Sequence, residues 1–125
     1  MLLTAWLRGA YVFIEQPTSS LMHLAEPMCS FCKLIANIRV RVCLGSYGGN
    51  TPKPIYLYSN NPSAEKLKRK LPSDASWEKL CYVSESGSAT GLRKNLKVSQ
   101  AYPDRFGEAV AELTQQGLPK HTMYK

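Results

Sequence analysis

The stretch "IRVRVCLGSYGGNTPKPIYLYS", Ile38 to Ser59, restricts the fold more than any other part of the chain. Ile38, Val40, Val42 and Leu44 alternate with Arg39, Arg41 and Cys43. A period of two is the mark of a half-exposed strand, here with its arginines on the wetter face. Charge on one face of a strand suits a sheet edge, where it discourages unwanted pairing. Gly45, Gly48, Gly49, Asn50, Pro52 and Pro54 then break any regular element. Ile55 to Ser59 supply a second strand, so the stretch predicts an antiparallel hairpin with a loop longer than the tight two-residue type.

Upstream, residues 2–8 have helical character, and Gly9 suits the left-handed position just past a helix end. "YVFIE", Tyr11 to Glu15, follows as a strand without alternation, a pattern expected of burial on both faces. Thr18 and Ser19 are placed to cap a short helix through Ala25. Pro27 opens a second helix ending near Ala36, with Met28, Phe31, Cys32 and Ile35 on one stripe. Asn61 and Pro62 start a third helix that ends before Pro72 and carries Lys66, Lys68, Arg69 and Lys70. The small polar residues 84–95 read as a flexible loop. Pro103 and Asp104 open a last helix whose buried stripe is Phe106, Ala109, Val110 and Leu113. These elements describe one partial α/β domain over residues 1–125: a small mixed sheet with flanking helices.

A chain of 125 residues with 44% hydrophobic and 20% charged content has the composition of one globular domain. It holds no apolar run near the ~20 residues that span a bilayer, so no membrane partner is expected. Arg8 interrupts the apolar start, no basic region precedes it and no small-residue cleavage site follows, which points to an intracellular protein, cytoplasmic or nuclear. The net charge of +7 permits attraction to nucleic acid without demanding it. Arg39, Arg41, Lys53, Lys66, Lys68, Arg69 and Lys70 are the candidate substrate-binding residues, and a merely solvated basic surface is the alternative. Cys29 and Cys32 form a CxxC pair. A closed zinc site needs two more ligands, and Cys43, Cys81, His23 and His121 lack the spacing to supply them. No metal site is therefore assigned, and small buried thiols in a reducing compartment are the reading preferred over a small zinc-binding module.

Three segments, "YVFIEQP", "CLGSYGGNTPKPIYLYSN" and "QAYPDRFGEAVAEL", carry a resemblance. Over residues 2–60 and 96–113 the chain resembles the carboxy-terminal half of cytosine-5 DNA methyltransferases, and most nearly their diverged methyltransferase-like relatives. The resemblance implies the back half of a Rossmann-like fold. It places Glu15 at the glutamate that hydrogen-bonds the target base, and Lys53 near the basic residues that hold the active-site geometry. Gln16 and Pro17 depart from the family's usual Glu-Asn-Val, and with Glu15 they make the candidate catalytic, base-contacting turn. The chemistry agrees with the first assignment, because a carboxylate at a strand end accepts from the donor edge of a flipped base. The structural alternative is that Glu15 caps the next helix or pairs with Arg39 or Lys53.

The family's glycine-rich cofactor loop and Pro-Cys nucleophile have no counterpart here: the glycines lie between two strands, and no Pro-Cys pair exists. The chain alone is thus expected to bind no cofactor, with S-adenosylmethionine entering only if a front half is supplied. The expected function is a methyltransferase-like module related to nucleic-acid modification, inactive alone. The alternative is a non-enzymatic nucleic-acid or protein-interaction domain with a basic surface. An exposed edge at Tyr11–Ile14 further predicts self-association or a partner chain.

Overall fold

A computed structural model describes residues 2–92, 94, 97 and 100–116. Outside the described residues lie His121, parts of the expected 84–95 loop and parts of the 96–113 resemblance. The expected hairpin forms: β2 (Ile38–Cys43) and β3 (Pro54–Ser59) pair antiparallel, with Val40 opposite Leu57 and Val42 opposite Ile55. β1 (Phe13–Pro17) pairs antiparallel with the other side of β3, giving the order β1-β3-β2. Every neighbouring pair is antiparallel, so the sheet is not the mixed one expected. The two outer strands nevertheless run parallel to each other and are joined through helix α2 (Met28–Leu34), with β3 filling the gap between them. The result is a split β-α-β arrangement.

β1 starts two residues later than the apolar run and sits at a sheet edge, half-buried and not enclosed on both faces. The reason is a side chain. Asn60 accepts from the Val12 amide at 2.8 Å and donates to the Ala10 carbonyl at 3.3 Å, fixing residues 10–12 outside the ladder. An apolar run thus serves partly as strand and partly as an anchored lead-in, with Val12 buried.

Period-two alternation divides the sheet into two faces. Phe13, Ile38, Val40, Val42, Ile55 and Leu57 share one face and build the main core with Leu44, Tyr47, Ala64 and Leu67. α3 (Asp104–Gln116) closes this core with Phe106 and Leu113 buried and Ala109 and Val110 packed alongside, as the stripe predicts. Phe106 meets Tyr47 edge-to-face at 5.3 Å, a favoured aromatic geometry. Tyr56, Tyr58, Arg39, Arg41, Ile14 and Gln16 take the opposite face by register.

The β2–β3 loop is packed rather than loose. It contains a 3-10 turn, Leu44–Tyr47, closed by Gly48 at φ 90°, where only glycine is at ease. A Cβ on Gly45 would lie 2.7 Å from the Trp77 ring and 2.9 Å from the Thr51 carbonyl oxygen. Glycine is therefore needed there for close approach.

The first and last helices form as expected: α1 covers Leu2–Leu7 with Gly9 at φ 78° beyond it. α2 presents Met28, Phe31, Cys32 and Ile35 inward and Ser30, Lys33 and Leu34 outward. Two helices are shorter than the sequence suggests. The 18–25 segment reduces to a 3-10 turn at Met22–Leu24, and Ser20, not Thr18 or Ser19, accepts the Met22 amide. The 61–71 segment reduces to a 3-10 turn at Ala64–Leu67, after which Lys68 is extended. Within the expected loop, β5 (Ala89–Gly91) pairs with β4 (Cys81–Val83) in a fully exposed hairpin.

Candidate functional site

The two faces of the sheet carry separate polar groupings. In the middle of β1 on the core face, Glu15 accepts a hydrogen bond from the Tyr102 hydroxyl. Partial burial, followed by the bond to Glu15 and its negative charge, pushes the Tyr102 hydroxyl up to about 12. The Lys53 ammonium lies 4.9 Å from the centroid of the same ring. Tyr102 stacks on Phe106 at 6.2 Å, which ties this cluster to the start of α3. Lys53 holds φ at 32°, an uncommon backbone state for a residue with a side chain.

Glu15, Gln16 and Pro17 do not form a turn. All three are ladder residues, opposite Leu57, Tyr56 and Ile55. Alternation sends Glu15 and Gln16 to opposite faces, so they do not jointly address one base. Gln16 accepts instead from the Ser20 hydroxyl at 2.9 Å. The same alternation separates Glu15 from Arg39, leaving no route to the pairing considered for them.

The second face carries the arginines. Two cross-strand rows are set by register, Gln16–Tyr56–Arg41 and Ile14–Tyr58–Arg39. Arg39 and Arg41 are exposed, and Tyr56 is half-buried. The Arg39 guanidinium lies diagonally over the Tyr56 ring, 4.9 Å from its centroid, a contact worth about 0.5–1 kcal/mol at exposed sites. Arg41 reaches along its own strand to the Cys43 sulfur at 3.7 Å. The surface that results is basic with an aromatic plane at its centre.

The basic run lies elsewhere. Lys66, Lys68, Arg69 and Lys70 are exposed, but they neighbour Ala64 and Leu67, which enter the core from the opposite face. Arg69 stacks on Tyr47 with its guanidinium 4.2 Å from the ring centroid. It also lines a small cleft with Arg105, Glu108 and Glu112 of α3. The run and the arginine pair therefore do not form one footprint.

Between α2 and the Arg39–Tyr58 row lies a cavity of about 380 Å³ lined by His23, Cys29, Cys32, Lys33, Arg39 and Tyr58 among others. Burial, then the neighbouring Cys29, pushes the Cys32 thiol up. Among the described residues, no group of three or more His, Cys, Asp or Glu side chains could share a metal ion. Nor is any helix among them long and apolar enough to cross a membrane.

Three tyrosines that organise these groupings, Tyr56, Tyr58 and Tyr102, escaped the sequence reading as site residues. Alternation in "PIYLYS" was the available signal for the first two, since it sets both tyrosines on the face of the arginines. Tyr102 is near Glu15 only through the tertiary fold. Comparison of the chain with protein-family models, curated proteins and solved structures finds no match.

Proposed function

We propose that this protein is a non-enzymatic nucleic-acid-binding module that engages single strands through the Arg39–Tyr56–Arg41 face. The observation that carries the reading is the half-buried Tyr56 ring set beside the exposed Arg39 and Arg41 on the sheet face away from the main core. Single-strand binders combine positive charge that tracks the backbone with aromatic planes on which bases stack. Arginine also adds a cation–π contribution and a fork of donors that fits phosphate oxygens. The net charge of +7 favours encounter with such a partner.

Fluorescence anisotropy at low salt with a labelled single-stranded oligonucleotide tests this. Tyr56→Ala is expected to weaken binding by about 1–3 kcal/mol, the usual loss when one stacking platform is removed. Arg39→Gln with Arg41→Gln should weaken it further. Unaltered affinity in both variants would remove this face from consideration. A loss confined to Lys66→Gln, Lys68→Gln and Lys70→Gln would put the contact on the opposite side of the sheet.

A second reading, a methyltransferase-like module completed by a front half, draws on one observation. Glu15 lies in the middle of β1 with Tyr102 bonded to it and Lys53 beside that ring. On this reading a front half supplies the S-adenosylmethionine site and Glu15 addresses the base. The chain alone should then show negligible heat of binding with S-adenosylmethionine in calorimetry, and micromolar binding would contradict that division of labour.

A further inference from the structure

Cys29 and Cys32, which the nucleic-acid face leaves unused, stand one turn apart on α2, and both line the cavity of about 380 Å³ beside that helix. The Cys29 amide donates to the Ala25 carbonyl at 2.9 Å, so Cys29 is already inside the helical ladder. Residues at this spacing on a helix hold their Cβ atoms about 5–6 Å apart. A disulfide needs about 3.8 Å between the same atoms. The helix therefore sets the two thiols too wide for a direct bond. Two thiolates that share one ion lie further apart, because each metal–sulfur bond is itself about 2.3 Å long. A bridging ion suits a spacing that a disulfide does not.

The surroundings restrict which ion. Both thiols are half-buried, and no carboxylate lines the cavity. Calcium and magnesium require oxygen ligands. Among the described residues the two thiols gain no third His, Cys, Asp or Glu partner. His23 shares the wall, but its Nδ1 is turned to the Ser20 carbonyl oxygen at 3.1 Å. Thiolates select Cu(I), zinc and iron–sulfur clusters. Zinc takes four ligands in structural sites and clusters take four cysteines. Cu(I), with a filled d shell and one charge, is satisfied by two thiolates in line.

We infer that Cys29 and Cys32 hold one Cu(I) ion as a two-coordinate dithiolate in the wall of this cavity. Both thiols release their protons to solvent as the two sulfur–copper bonds form, and no oxidation state changes. Cys29 gives up its bond to the Glu26 carboxylate, which keeps the Ser30 hydroxyl at 2.6 Å and lies outside this cavity. The complex carries a single net negative charge, offset by Lys33 and Arg39 in the same wall. Binding of this ion requires no nucleic acid.

Anaerobic titration of the reduced full chain with Cu(I), in competition with a coloured Cu(I) chelator, tests the assignment. The wild type is expected to take one Cu(I) per chain from the chelator, and excess Zn(II) should not displace it. Cys29→Ser and Cys32→Ser should each weaken binding by more than about a hundredfold, the upper end of the loss caused by removing a residue that only supports a ligand. Cys43→Ser combined with Cys81→Ser should bind as wild type does. A second readout needs no variant to fold: in the wild type, Cu(I) should slow iodoacetamide labelling of Cys29 and Cys32 but not of the exposed Cys81, read by peptide mass spectrometry. No uptake against the chelator, unchanged uptake in Cys29→Ser or Cys32→Ser, displacement by Zn(II), or labelling of Cys29 and Cys32 that ignores Cu(I) would overturn the inference.

Discussion

Lys53 and Tyr102 show how single residues set the character of the polar cluster around Glu15. Tyr102 retains its proton more tightly folded than unfolded, because burial and Glu15 raise its hydroxyl from the ordinary 10 to about 12. The stabilisation linked to that shift is fully present below pH 10 and is lost as pH rises toward 12. Urea unfolding of wild type and Tyr102→Phe between pH 9 and 12 should show a stability difference that shrinks across this window. A difference constant with pH would mean that neither burial nor Glu15 raises the hydroxyl. The role of Glu15 itself was only partly legible. The apolar run before it suggests a strand end, but β1 continues to Pro17 and leaves Glu15 mid-strand, and its partner lies 87 positions later in the chain. Local spacing carries no information about such a contact.

At the scale of elements, the β2–β3 hairpin was legible because alternation and loop composition agree, and consistency between levels is what specifies a fold. Gly45 adds a requirement that composition alone does not reveal. Gly45→Ala would force a Cβ against Trp77 and the Thr51 carbonyl. Overpacking of this kind costs about 1–3 kcal/mol, so a lower Tm with unchanged far-ultraviolet circular dichroism is expected. An unchanged Tm would show that the Trp77 ring yields freely.

The 61–71 helix failed for a physical reason. Asn61 accepts the Ser63 amide at 2.9 Å and donates to the Leu113 carbonyl, but it does not cap the element that forms, whose first turn follows Ser63 with no side-chain capping bond. The Leu67 carbonyl then receives the Tyr47 hydroxyl and not a following helical amide. Tertiary contacts override a local propensity worth only tenths of a kcal/mol per residue.

β1 pairs only with β3, and among the described residues its outer edge has no strand beside it. An unpaired edge is a template for another strand. Sedimentation should therefore show self-association at high concentration, and Ile14→Lys at the edge should reduce it. A monomer at every concentration, with slow amide exchange along Phe13 to Glu15, would contradict this.

For the whole molecule, the decisive property is how the charge of +7 divides between the two faces. Composition revealed the excess but not its separation, because faces are assigned by register and by which side chains enter the core. Arg39 and Arg41 lie on the face opposite the one entered by Leu67, so the Lys66–Lys70 run belongs to a different surface. The most direct test of the nucleic-acid reading is the salt dependence of single-strand binding in wild type, in Arg39→Gln with Arg41→Gln, and in Lys66→Gln with Lys68→Gln and Lys70→Gln. Each lost phosphate contact lowers the slope of log K against log salt by about 0.7 on single strands. The arginine variant is expected to lose one to two contacts' worth of slope while the lysine variant stays close to wild type. Equal slopes in wild type and the arginine variant, or no binding by wild type at low salt, would contradict the account.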